Sequence, residues 1–456
     1  MRARTLWVLC ALLGGCATPA RLVAPPPDAA GEKPILYGAH GALSAERSQA
    51  ILNELAKESG HSDLLVRHIM VEEALTRFPL TIGNKVTLLR DGPATYRAMY
   101  EAIRNARDHI NLETYIFRDD EIGRQLADLL IEREQQGVQV NVIYDGVGSI
   151  LTPKAFFENM QRAGIKVLQF NPVNPAETRK RYILEHRDHR KLLIVDGLIA
   201  FTGGINYDSV YSGGSFSHPK RATGNGKTPW RDTHVRIEGP AAAEFQKLFI
   251  ETWKKQKGEP LPPRKYFPSL TEPGHQIVRA IGSTPDSGVS VLHATLLSAI
   301  NHAERSVHIT NAYFVPDEKL LHALQMAARR GVDVSIILPS QSDFWAPLYA
   351  GRSHYSALLD SRVHIYERSG ALLHAKTTVI DEVWSTVGST NLDPRSMTLN
   401  DEVDAVVLGV DFGQQMEAMF KDDIGHSKQV LPEAWRHRGL GSRFKEMGAR
   451  IWERWL

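Results

Sequence analysis

Two short stretches of the chain repeat one pattern of reactive side chains. His189 and Lys191 stand two residues apart with Asp196 five beyond the lysine, and His374, Lys376 and Asp381 reproduce that spacing. The residues between are mostly β-prone, and on a strand residues two apart face the same way. Each His–Lys pair therefore projects into one pocket, while each Asp, at an odd spacing, faces the other side. Downstream, each copy meets a glycine turn and an asparagine: Gly203-Gly204-Ile205-Asn206 and Gly388-Ser389-Thr390-Asn391. A single His-x-Lys is best read as a solvated strand, and a glycine pair as a plain turn. The whole set, present twice, reads as chemistry.

That chemistry is phosphoryl transfer without metal. A neutral imidazole can attack phosphorus and form a phosphohistidine, while a second, protonated imidazole donates to the leaving oxygen and then deprotonates the next acceptor. Duplication supplies two histidines with separable protonation states if the two copies face each other. Lys191 and Lys376, with the amides of Asn206 and Asn391, are candidates to hold phosphoryl oxygens. Each histidine needs an acceptor on its other ring nitrogen. Asp232 and Glu402, at comparable places in the two repeats, are the candidates. Asp196 and Asp381 complete the catalytic motif as braces rather than proton carriers. His186, Asp188 and His189 together suggest a metal site, but His–Lys proximity disfavours a cation and no cysteine cluster accompanies them. No metal and no cofactor are expected.

The elements that must position these residues are alternating strands and helices. Strands are expected at 85–89, 110–117 and 138–144, with helices at 94–107 and 122–136; this order implies a largely parallel sheet covered by helices. It returns as a helix at 296–305, a strand at 307–314 and a helix at 320–330. Gly137-Val138-Gln139-Val140 has its echo in Gly331-Val332-Asp333-Val334. The chain is thus an internal duplication, not a short-period solenoid. The expected division is a signal at 1–15, an Ala/Pro-rich tether at 16–34 and a helical preface at 35–78. The two halves follow at 79–258 and 273–425, joined by a Pro-rich connector, and a basic Trp-rich tail fills 426–456. An insertion, Ser212 to Pro229, contains Gly224-Asn225-Gly226-Lys227-Thr228. Arg221 stands where a phosphate-cradling loop needs glycine, so the insertion is read as a loop near the site.

A hydrophobic fraction of 43% and a charged fraction of 23% are ordinary globular values, and a net charge of +2 gives no reason to expect nucleic acid as a partner. Arg2 and Arg4 followed by an apolar run to Leu13 read as a targeting segment too short to span a bilayer comfortably. Leu13-Gly14-Gly15-Cys16 resembles the lipobox of bacterial lipoproteins. It implies lipidation at Cys16 and a periplasm-facing place in the cell envelope, at the outer rather than the inner membrane. The tail carries Trp435, Trp452 and Trp455. Leu440, Phe444, Met447 and Ile451 fall near one helical face beside Arg443, Lys445 and Arg450, a pattern suited either to an anionic lipid interface or to docking on its own domain.

The paired His-x-Lys-x4-Asp motifs resemble the phospholipase D superfamily, and more closely bacterial cardiolipin synthases. The stretches Ile110 to Phe117, Tyr313-Phe314-Val315-Pro316 and Asn391 to Ser396, leading to Asn400 and Glu402, share the resemblance, which runs from about Pro79 to Asp422. It implies an α/β protein of two duplicated phospholipase-D-like halves with mostly parallel sheets and one shared active site. It implies a phosphatidyltransferase that joins two phosphatidylglycerols with release of glycerol, His189 being the nucleophile and His374 the acid and base. Hydrolysis of phospholipid to phosphatidic acid uses the same residues, and a nuclease of the same superfamily is the further alternative. Unlike the many cardiolipin synthases that begin with membrane-spanning helices, this chain begins with a signal and a lipobox.

Overall fold

A computed structural model describes residues 33–61, 64–172, 185–214, 228–287 and 290–451. The signal segment, Cys16, most of the tether, most of the insertion, Trp452 and Trp455 lie outside them. A preface comprises β1 (Leu36–Gly38), β2 (Gly41–Ala42), α1 (Ala45–Ser59), a π-helical turn at Leu64–His68 and α2 (Ile69–Leu75). Ser44 caps α1 by accepting from Arg47 N, which is the role a serine takes at a helix start.

The first half runs β3 (Leu80–Leu89), α3 (Gly92–Arg104), β4 (His109–Thr114), α4 (Glu121–Gln135), β5 (Gln139–Asp145), α5 (Lys154–Arg162) and β6 (Lys166–Phe170). It continues through β7 (Lys191–Val195), β8 (Ile199–Gly203), β9 (Trp230–Arg231), β10 (His234–Glu238) and α6 (Ala241–Lys255). The second half repeats this as β11 (Gln276–Ser283), α7 (Val291–Asn301), β12 (Ser306–Asn311), α8 (Glu318–Arg329), β13 (Asp333–Pro339), α9 (Trp345–Ser353), α10 (Tyr355–Leu359) and β14 (His364–Arg368). It closes with β15 (Leu372–Leu373), β16 (Lys376–Ile380), β17 (Trp384–Gly388), α11 (Pro394–Thr398), β18 (Glu402–Leu408) and α12 (Val410–Gly425). The tail adds β19 (Ser427–Gln429), α13 (Pro432–Arg436) and α14 (Leu440–Ile451).

The sheet is mixed. In the first half β6, β5 and β4 are parallel neighbours, and β4 passes through antiparallel β7, β8 and β10 to β3. The second half repeats the order with β14, β13 and β12, then β16, β17, β18 and β11. Helical crossovers keep the outer strands parallel, whereas the tight turns after β7 and β16 force reversal. The halves join where β3 pairs antiparallel with β11. One core fills each half, and a third draws Leu192, Ile194 and Val235 from the first half against Val379, Val387 and Val403 from the second. The preface packs Leu52, Leu65 and Ile69 into the second half's core. Lys191 lies opposite Thr114 and Lys376 opposite Asn311. Both motifs thus stand at the carboxyl ends of parallel strands, where open α/β sheets leave a crevice for ligands.

Candidate active site

Backbone hydrogen bonds between the halves bring the two motifs together. His189 N donates to Asp401 O at 2.9 Å, and Asp401 N donates to Arg187 O at 2.9 Å. In the mirrored crossing His374 N donates to Arg231 O at 2.8 Å, beside the parallel pairing of β9 with β15. The residue after each accepting carbonyl is a carboxylate, so each crossing delivers that carboxylate to the histidine of the opposite half. His189 Nδ1 lies 3.1 and 3.0 Å from the two oxygens of Glu402. His374 Nδ1 lies 2.7 Å from Asp232 Oδ2. An imidazole that donates from Nδ1 keeps its Nε2 lone pair for substrate when neutral.

Lys191 Nζ donates to His189 O and Lys376 Nζ to His374 O, and Lys376 Nζ also lies 3.0 Å from His374 Nδ1. Burial brings Lys191 down to about 7 and Lys376 down to about 8, against the pull of Glu402 and Asp232. His189 is held well below the ordinary histidine value, first by burial and then by the charges of Lys191, Lys376 and His374. His374 is lowered by burial and Lys376, with Asp232 opposing. The two carboxylates differ. Burial would raise Asp232, but His374 and Lys376 outweigh it and hold the carboxyl below its usual range. Burial carries Glu402 up to about 7 despite Lys191 and the Ser389 hydroxyl, which donates to it at 2.5 Å.

The other residues singled out from the sequence take varied positions. Asn206 is committed: Oδ1 accepts from Ile116 N at 3.1 Å and Nδ2 donates to Tyr211 OH at 3.2 Å. Asn391 is buried and its Oδ1 has no partner among the described residues. Asp196 and Asp381 lie at the far ends of β7 and β16, in left-handed backbone at φ 54° and 53°. Asp196 accepts from the backbone N–H of Arg107, Asp108 and His109, and Asp381 from those of Glu304, Arg305 and Ser306. The turn removes both from strand parity and gives them the start of the neighbouring strand to hold. His186 lies 2.6 Å from Asp401 through Nε2. Gly204 admits Asp232, because a Cβ there would lie 2.2 Å from Asp232 Oδ1.

Sequence reasoning passed over much of the surroundings. Behind His189, buried Arg190 donates to Glu402 O at 3.1 Å, Thr252 Oγ1 at 2.7 Å and Ser283 O at 3.2 Å. In the second repeat the places of His186, Asp188 and Arg190 hold Ala371, Leu373 and Ala375. His374 instead has aromatic neighbours: Tyr211 OH is 3.2 Å from its Nδ1, and the rings of Trp230 and Tyr313 are centred 4.9 and 6.3 Å away. Tyr115 stands 5.1 Å from the His189 ring. Tyr115 and Tyr313 lie one and two residues past β4 and β12, within the Ile110 to Phe117 and Tyr313 to Pro316 stretches that carry the family resemblance, a signal legible in the sequence. Tyr211, next to the insertion, carries no such signal.

The chain is similar to known proteins over most of its length. The family model described as "Cardiolipin synthase, PLD-like domain" matches residues 99–213 and 296–424. A cardiolipin synthase of Alkalihalophilus pseudofirmus is 33% identical over 410 residues, covering 88% of this chain and 78% of that protein. Cardiolipin synthase 1 of Bacillus anthracis is 32% identical over 399 residues, covering 84% of this chain and 76% of its own length. Among solved structures, the phosphatidylserine synthase of Haemophilus influenzae Rd KW20 shares the fold with a TM-score of 0.60 at 16% identity, over 86% of this chain and all of that one. The duplicated motif, the shared crevice and the match over most of the length together place the chain in the PLD-like cardiolipin synthase family.

Proposed function

We propose that the protein is a phosphatidyltransferase that joins two phosphatidylglycerol molecules into cardiolipin and releases glycerol. The observation that carries this reading is the pair of imidazoles, each with Nδ1 taken by the opposite half's carboxylate and each beside a lysine. His189 Nε2 attacks the donor phosphorus, and the bond to the glycerol oxygen breaks as His374 gives that oxygen its proton. His374, now neutral, takes the proton from a hydroxyl of the second phosphatidylglycerol. That oxygen attacks phosphorus, the P–N bond breaks and His189 is restored. The unequal carboxylates support this order. Asp232, kept ionised, opposes the lowering of His374 by burial and Lys376, whereas His189, held low by burial and the neighbouring lysines and backed by a carboxyl raised to about 7, stays neutral and nucleophilic. Lys191 and Lys376 face the phosphoryl oxygens as charge develops.

Lipid chromatography with labelled phosphatidylglycerol tests the reading. Wild type should yield cardiolipin and free glycerol, and His189→Ala neither. Phosphatidic acid formed in place of cardiolipin would turn the assignment to hydrolysis. The lipobox-like Leu13 to Cys16 further supports lipidation at Cys16, contact with a membrane surface and a periplasm-facing place at the outer membrane. Palmitate should label wild type and spare Cys16→Ala; equal labelling would remove the anchor.

A further inference from the structure

Of twelve large apolar side chains exposed among the described residues, seven lie on three segments: two loops tied to tyrosines beside the histidines, and α14. Ile150 and Leu151, 60% and 76% exposed, follow the loop after β5. Phe344 and Trp345, 47% and 57% exposed, follow the equivalent loop after β13. Each pair is tied to the tyrosine that walls its half's histidine. In the first half Ser149 Oγ donates to Tyr115 O at 3.1 Å, and Gly148 packs so closely on that carbonyl that a Cβ would lie 2.2 Å from it. In the second, Tyr313 OH donates to Asp343 Oδ1 at 2.7 Å. The duplication has therefore placed an exposed apolar pair on the loop tied to each histidine's neighbouring tyrosine.

The third segment is α14, which packs on α9, the helix that Trp345 begins. It turns Ala449 inward against Ala346 and Ala350 of α9 and leaves Phe444, Met447 and Ile451 outward, at helical spacing. A helix that docks by its small side and exposes its apolar stripe inverts the globular rule, and an apolar patch of this kind marks an interaction surface. Arg443 and Arg450 flank the stripe and line a cavity of about 500 Å³ with Met447, and exposed Lys154 follows Leu151 closely. Apolar tips bordered by cations fit the boundary between anionic head groups and acyl chains.

We propose that this rim docks on an anionic phospholipid bilayer: Ile150, Leu151, Phe344, Trp345 and the outer face of α14 enter the interface and set the crevice against the lipid plane. The inference deepens the phosphatidyltransferase reading and rests on it only for the substrate's location. The test therefore reads binding without turnover. Full-length protein carrying His189→Ala and Cys16→Ser is floated with vesicles of phosphatidylcholine alone or mixed equally with phosphatidylglycerol. Binding should favour the mixed vesicles. It should fall roughly tenfold or more with Ile150→Ser/Leu151→Ser, with Phe344→Ser/Trp345→Ser and with Phe444→Glu/Met447→Glu. Phe267→Ser and Met326→Ser, exposed elsewhere, should leave it unchanged, with thermal unfolding checked for every variant. Unchanged binding in the rim variants, equal losses in the control variants, or indifference to phosphatidylglycerol would overturn the proposal. So would a dimer in sedimentation that the rim substitutions dissolve, because it would assign the surface to a second copy. Absence of transfer by the wild-type protein, with rim-dependent binding intact, would instead fault the phosphatidyltransferase reading alone.

Discussion

At the scale of single residues, the two histidines differ through the groups behind them. His374 lies 2.7 Å from a carboxylate kept below its usual range, and His189 about 3.0 Å from one raised to about 7. Asp232→Asn should therefore remove the anion that favours protonated His374. Transfer should fall about 10³-fold, with the apparent pKa of the acid group moving down, as a pH–rate profile will show. Glu402→Gln should slow transfer with little movement of that limb. Lys376→Met should cost about 10²- to 10³-fold in kcat. Because burial brings Lys376 down to about 8, the free enzyme loses that charge as pH rises through 8, and kcat/KM should decline there. The residues of this chemistry were legible because they occur twice at fixed spacing. Their pairing was not: Asp232 and Glu402 sit in matching places, and only the backbone crossings decide which histidine each one meets.

At the scale of elements, two aspartates hold the starts of the strands beside the motif. Asp196→Gly keeps the left-handed turn while leaving the N–H groups of Arg107, Asp108 and His109 without their acceptor. It should lower stability by about 3 kcal/mol in denaturant unfolding, and Asp196→Asn by less. His308 offers a second test. Burial alone would lower it, but hydrogen bonds to Asp333 and Glu417 outweigh that and raise it to about 9 from 6.5. A histidine raised on folding contributes stability that is complete below pH 6.5 and lost as pH rises through about 9. His308→Gln should therefore cost roughly 2–3 kcal/mol at pH 6 and almost nothing at pH 10. Element types were readable from periodicity, as the helices expected at 122–136 and 320–330 show. The strand at 85–89 extends back to Leu80 because the sheet continues through it to β11, a partner that local pattern cannot supply.

At the scale of the whole molecule, the halves form one sheet. β3 pairs with β11 across the join, and a common core lies between the halves. A protease site introduced at Ser269, in the exposed connector, should yield two fragments on denaturing gels. Under native conditions they should elute as one particle with transfer activity retained. The duplication announced two similar domains from sequence alone, and the residues around the two histidines already differ there. His186, Asp188 and Arg190 stand where the second repeat has the apolar Ala371, Leu373 and Ala375. The reciprocal loan of carboxylates has an evolutionary corollary. A solitary ancestral copy could complete its own histidine only by lying against its twin, so fusion preserved the stoichiometry of a dimer inside one polypeptide. Drift in either repeat is now felt first at its sibling's imidazole.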